Sequence, residues 1–129
     1  MTEKKLSKLK LLVVDDERDN LDLLYRTFWK DFIVYRANNA TEALAILEKK
    51  GEMAVIISDQ RMPDMNGSEL LRLTVERFPD TIRILLTGFT DVEDLVDAIN
   101  SGRVFNPHSA PPGVTIGNFG FLNTLKDNF

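Results

Sequence analysis

The sequence predicts an α/β domain, doubly wound on a five-stranded parallel sheet. Three observations carry that prediction: short, mainly apolar runs, a helix-like segment with start or stop residues after each of the first four, and acids or a hydroxyl closing several runs. Strands apolar on both sides belong to sheets covered by helices on both faces. Right-handed crossovers then wind those helices over the two faces.

Leu11-Leu12-Val13-Val14 is the first such run, and it ends in Asp15-Asp16-Glu17. Asp19 or Asn20 caps a helix reaching about Lys30, with Leu21, Leu24, Tyr25 and Phe28 on one face. Phe32-Ile33-Val34-Tyr35 is the second strand. Asn39 and Glu42 have capping-box spacing for a helix from Ala40 to Lys50, and Gly51 closes it. Ala54-Val55-Ile56-Ile57 is the third strand, ending at Ser58-Asp59. Ser68 to Phe78 forms a third helix, stopped by Pro79. Ile82-Arg83-Ile84-Leu85-Leu86 is the fourth strand, ending at Thr87-Gly88. Thr90 with Glu93 opens a fourth helix running to Asn100, and Gly102 follows it. Val104-Phe105 starts the fifth strand.

A chain of 129 residues is one domain of ordinary size. Lys4, Lys5 and Lys8 make residues 1–9 a basic lead-in, followed by Lys10 at the start of a domain spanning 10–105. Only Lys126 and Asp127 carry charge beyond Phe105, and three of the five prolines fall there, so 106–129 is an atypical tail. The absence of cysteine excludes a disulfide scaffold, a thiolate metal site and a cysteine nucleophile. His108 is the single histidine, which excludes a two-histidine zinc motif. A net charge of −4 argues against nucleic acid as partner. No apolar run approaches the ~20 residues of a membrane span, and no signal-type apolar core follows the lysines. The expectation is a soluble cytoplasmic domain with neither nucleic acid nor membrane as partner.

Ligands of such sheets lie beyond the carboxyl ends of the strands. Asp15, Asp16, Asp59 and Thr87 converge there if their strands are neighbours. Each alone is what a strand end meeting water carries; together they make a site. Three clustered carboxylates repel one another unless a cation joins them, and hard oxygen ligands suit Mg²⁺. An aspartate beside Mg²⁺ can attack phosphorus and form an acyl phosphate, while a threonine hydroxyl bonds a phosphoryl oxygen.

These segments resemble the receiver domain of two-component response regulators. The resemblance is carried by Val13-Val14-Asp15-Asp16-Glu17, by Ile56 through Asp59-Gln60-Arg61-Met62-Pro63-Asp64-Met65-Asn66-Gly67, by Leu85-Leu86-Thr87-Gly88, and by Ala98-Ile99-Asn100-Ser101-Gly102. It implies a CheY-like, flavodoxin-like topology and a signalling switch, not a turnover enzyme. It implies that Asp59 accepts a phosphoryl group from a sensor histidine kinase or phosphotransfer protein. Asp15 or Asp16, or both, would hold Mg²⁺ with Asp59 and the backbone carbonyl of Arg61. Thr87 would bond the phosphoryl oxygen and report phosphorylation, Gly88 would leave room for it, and Arg61 and Phe89 would stand where dephosphorylation is tuned.

The resemblance stops at the fifth strand. Aligned without gaps from Val104-Phe105, Ala110 falls at the usual lysine, Pro111 keeps its proline, and Pro107 falls at the usual aromatic residue. The fifth strand is therefore expected to be shortened, and the fifth helix absent or replaced. His108 and Lys126 read as solvated. The tail is either a divergent end or the product of a frame change after Phe105, and the abrupt charge drop favours the second. An uncovered fifth-strand edge suggests a homodimer or strand exchange. Two rival functions follow: a non-phosphorylated pseudo-receiver acting as an interaction module, and a Mg²⁺-dependent aspartyl phosphohydrolase, for which the acidic segment lacks the second catalytic acid.

Overall fold

The structure is a computed structural model that describes residues 8–87, 92–100 and 114–117. Its elements are β1 (Leu9–Val14), α1 (Arg18–Phe28), β2 (Phe32–Ala37), α2 (Ala40–Lys50), β3 (Val55–Asp59), α3 (Gly67–Leu73), β4 (Ile82–Leu86), α4 (Val92–Asn100) and β5 (Val114–Gly117). The sheet order is β2-β1-β3-β4-β5, and the first four strands are parallel. Leu9 already belongs to β1, one residue inside the expected lead-in.

The apolar strand runs are explained by two cores. Alternate residues of a strand face opposite sides. Leu11, Val13, Ile57, Ile84 and Leu86 meet Leu21, Leu24 and Phe28 of α1 and Val92 and Leu95 of α4. Leu12, Val14, Ile56 and Leu85 meet Ala40, Ala43 and Leu47 of α2, Leu70 and Leu71 of α3, and Phe78. The domain is therefore doubly wound, with α1 and α4 on one face and α2 and α3 on the other.

The fifth strand departs from expectation. Val104-Phe105 lie outside the described residues. The strand beside β4 is Val114–Gly117, and it runs antiparallel, with Leu86 opposite Val114 and Arg83 opposite Gly117. That direction agrees with crossover handedness. The β1-α1-β2 and β3-α3-β4 units step in opposite directions along the sheet with helices on opposite faces, so both share one hand. A parallel strand beyond β4, reached through a helix on the α1 face, would reverse that hand, which parallel crossovers almost never do. An antiparallel strand makes no crossover.

Two helix boundaries also shift. α1 begins at Arg18 with Glu17 as its N-cap residue, so Asp19 and Asn20 lie in the first turn and cap nothing. α3 ends at Leu73, short of Phe78. There the Thr74 and Val75 N–H groups tighten to three-residue bonds on Leu71 O and Arg72 O. The Thr74 hydroxyl also donates to Leu71 O at 2.7 Å. Buried Arg83 fixes this turn from β4. Its guanidinium donates to Thr74 Oγ1 (2.7 Å), Thr81 O (2.8 Å), Thr74 O (3.0 Å) and Phe78 O. By contrast, Asn39 caps α2 as the sequence predicts, while Glu42 Oε1 accepts from Asn38 N–H at 2.7 Å, one residue ahead of the cap. Asn39 Oδ1 accepts from Glu42 N–H at 2.8 Å, and Gly51 (φ 79°) closes the helix. Thr90 and Gly102 lie outside the described residues.

Candidate functional site

The parallel ladder places Asp15 and Asp16 just beyond β1 and Asp59 at the end of the neighbouring β3. One carboxylate oxygen from each lies within 4.8 Å of the others. Among the three, Asp15 is buried, Asp59 half-buried and Asp16 exposed.

Asp15 is held on both oxygens. Oδ1 accepts from Glu17 N–H at 2.9 Å, and Oδ2 from the Asn20 side-chain amide at 3.0 Å. Burial still raises its carboxyl above the ordinary value, and Asp16 and Glu17 add to the rise. Burial is also the largest cause at Asp59, followed by the charges of Asp15 and Asp16; together they push its carboxyl up to about 6. Two of the three carboxyls are thus disfavoured as anions without a counter-charge. Three hard oxygens at this spacing form a donor set that suits a small divalent cation.

Thr87 follows Leu86, the β4 partner of Asp59, and is half-buried on the same edge of the sheet. Arg61 is exposed two residues beyond Asp59. Gly88, Phe89, Pro107, His108, Ala110, Pro111 and Lys126 lie outside the described residues. Glu17 opens α1 as its N-cap residue, with no side-chain cap bond.

The loop after Asp59 is set by its own chemistry. Gln60 N–H donates to Leu86 O at 2.9 Å, and Gly67 N–H returns to Gln60 O at 2.9 Å. The Gln60 side-chain oxygen accepts from Ser68 N–H at 2.8 Å, and Asn66 caps α3 by accepting from Glu69 N–H at 2.9 Å. Gly67 is required by space. A Cβ there would lie 2.2 Å from Asp59 O and 2.8 Å from Leu85 Cδ1.

A cluster of acids at β1 and β3, a threonine after β4 and a glycine-closed loop after the third acid are the features of one family. The response regulator receiver domain family matches residues 11–104. The chain belongs to that family. This receiver is 40% identical over 95 residues to the hydrogenase transcriptional regulatory protein HoxA of Cupriavidus necator, a match covering 74% of this chain and 20% of HoxA. It is 39% identical over 112 residues to an uncharacterized 14.6 kDa protein of Leptolyngbya boryana, covering 83% of this chain and 82% of that protein. Among solved structures, it resembles a CheY-like receiver domain protein of Methanospirillum hungatei at 31% identity and TM-score 0.60, over 74% of this chain and 77% of that one. The receiver spans about a fifth of the length of HoxA. No helix among the described residues is long and apolar enough to cross a membrane.

Several contributors are not read from the sequence. The sequence offers Asn20 as a helix cap, yet its amide donates to Asp15 Oδ2. Asp64, inside the motif, reaches out of its own loop: it accepts from Ala40 N–H, Thr41 N–H and Thr41 Oγ1. No local pattern signals either contact.

Proposed function

We propose that the chain is the phosphoaccepting receiver of a two-component phosphorelay. Asp59 takes a phosphoryl group from a phosphohistidine on a sensor histidine kinase or phosphotransfer protein. Mg²⁺ is held at Asp15, Asp16, Asp59 and the backbone carbonyl of Arg61. The observation carrying this reading is the convergence of three carboxylate oxygens within 4.8 Å at the ends of β1 and β3.

An Asp59 oxygen attacks phosphorus. The P–N bond to the donor imidazole breaks, its electron pair stays on the ring nitrogen, and an aspartyl phosphate forms. The bound cation supplies positive charge for the phosphoryl oxygens and the acidic cluster. Asp15, with both oxygens already accepting protein N–H groups, and exposed Asp16 would together hold the cation with Asp59. The Thr87 hydroxyl donates to a phosphoryl oxygen and passes the change to the segment leading into α4. The domain acts as a switch and not as a turnover enzyme. We place it in the cytoplasm, with neither nucleic acid nor membrane as partner.

Intact mass after incubation with acetyl phosphate and Mg²⁺ tests the reading. One phosphoryl mass on the parent and none on Asp59→Asn supports it; none on the parent refutes it. Ala110 at the position of the family's usual lysine favours one second reading, a pseudo-receiver serving as an interaction module. A Mg²⁺ titration separates the two, since a pseudo-receiver shows no Asp59-dependent binding. The fifth-strand edge is proposed as a homodimer or strand-exchange contact. Light scattering that shows a monomer at every concentration would refute that contact.

A further inference from the structure

We propose that Asp64 is a positioning residue whose carboxylate braces the loop after Asp59 against α2 and thereby fixes the spacing of the strand ends bearing the acidic cluster. The functional consequence rests on the receiver reading; the brace itself does not.

The β1–β3 ladder ends at Val14 opposite Ser58. Asp15 and Asp16 therefore lie beyond the last pair that ladder fixes. A second route connects them to the Asp59 loop. Asp15 N–H donates to Ala37 O at 3.1 Å, and Ala37 ends β2. Only Asn38 and Asn39 separate β2 from α2. At the start of α2, Asp64 Oδ1 accepts from Ala40 N–H at 3.2 Å, while Oδ2 accepts from Thr41 N–H at 2.9 Å and Thr41 Oγ1 at 2.8 Å. Asp64 belongs to the loop closed at its base by the Gly67–Gln60 bond. The circuit from Asp59 through Asp64, α2 and Ala37 to Asp15 is complete.

The chemistry favours the contact strongly. The first N–H groups of a helix lack partners within it, and the helix dipole favours an anion there. With Asn39 taking Glu42 N–H, Asp64 completes the cap of the first turn. Those donors hold the Asp64 carboxyl below its ordinary value. Groups that orient metal ligands from behind govern metal affinity about tenfold or more.

The test uses the full chain carrying Asp64→Ala, Asp64→Asn, Thr41→Val or the Asp64→Ala/Thr41→Val pair. Metal-free amide exchange by NMR reads the brace, and Mg²⁺ calorimetry reads its consequence. Asp64→Ala should speed exchange of the Asp15 amide and weaken Mg²⁺ binding, each by about tenfold. Asp64→Asn, keeping one acceptor oxygen, and Thr41→Val should fall between it and the parent, and the double variant should match Asp64→Ala alone. If Asp64→Ala is too unstable, the ordering of Asp64→Asn and Thr41→Val against the parent decides. Exchange changes confined to residues 39–42 and 61–65, with Asp15 unmoved, would reduce Asp64 to a local helix cap and overturn the proposal. An Asp15 response in a chain that binds no Mg²⁺ would uphold the brace and sink the receiver reading instead.

Discussion

Replacing Asp59 by Asn should stabilise the metal-free protein at neutral pH. Burial, then the charges of Asp15 and Asp16, raise the Asp59 carboxyl from 3.8 to about 6. Between those values the folded protein holds a proton that the unfolded chain has released. Stability therefore falls as pH rises through this window, and the whole loss is present above it. Taken in full, that displacement is worth about 3 kcal/mol; water reaching the half-buried carboxylate screens it to about 1–2 kcal/mol. Asn cannot ionise, so Asp59→Asn should gain about 1–2 kcal/mol at pH 7.5, and the gain should shrink to about 0.5 kcal/mol or less by pH 4. Urea unfolding in EDTA from pH 4 to 8 measures it. Added Mg²⁺ should then stabilise the parent by mass action and leave the variant nearly unchanged. A variant no more stable than the parent at pH 7.5, or a gain undiminished at pH 4, would refute the electrostatic account of the site.

Other perturbations test the frame that presents Asp59. Gly67→Ala sets a Cβ 2.2 Å from Asp59 O, a backbone atom that cannot turn aside; it should cost about 3 kcal/mol in urea unfolding and weaken Mg²⁺ binding in calorimetry. Arg83→Met strips the donors from Thr74 O, Phe78 O and Thr81 O inside the core. It should cost about 2–4 kcal/mol by urea unfolding, with far-ultraviolet circular dichroism reporting whether the residue 74–81 turn survives.

The four parallel strands and the acidic trio were legible because they follow from local chemistry plus topology. Apolar runs mark strands covered on both faces, and parallel neighbours bring their carboxyl ends to one edge whatever the side-chain details. Arg83 shows where that reasoning ends. In Ile82-Arg83-Ile84-Leu85-Leu86 it reads as the one polar residue of a strand, yet it is fully buried. Burial lowers its pKa to about 10, and carbonyl and hydroxyl acceptors surround it. Nothing in the strand announces them, because they come from a turn that Arg83 itself shapes. Asn20 and Asp64 repeat the lesson at the site. Both residue types favour caps, so the sequence assigns Asn20 to the nearest helix start and leaves Asp64 to its turn. Which N–H or carboxylate each one meets is decided only after the helices dock.

The side of the sheet taken by α4 was illegible for a different reason. Val92, Leu95 and Val96 give the helix one apolar stripe, and a stripe says that a helix packs, not on which face. Sidedness in such a domain normally comes from the next strand, since a right-handed return to a parallel neighbour permits one face only. Here the strand beside β4 is antiparallel, so that constraint is lifted and α4 lies beside α1. Under the proposed receiver function, a change at Thr87 would act on a helix packed over the β1-α1 face, and the α1–α4 contact is the surface it would reach first.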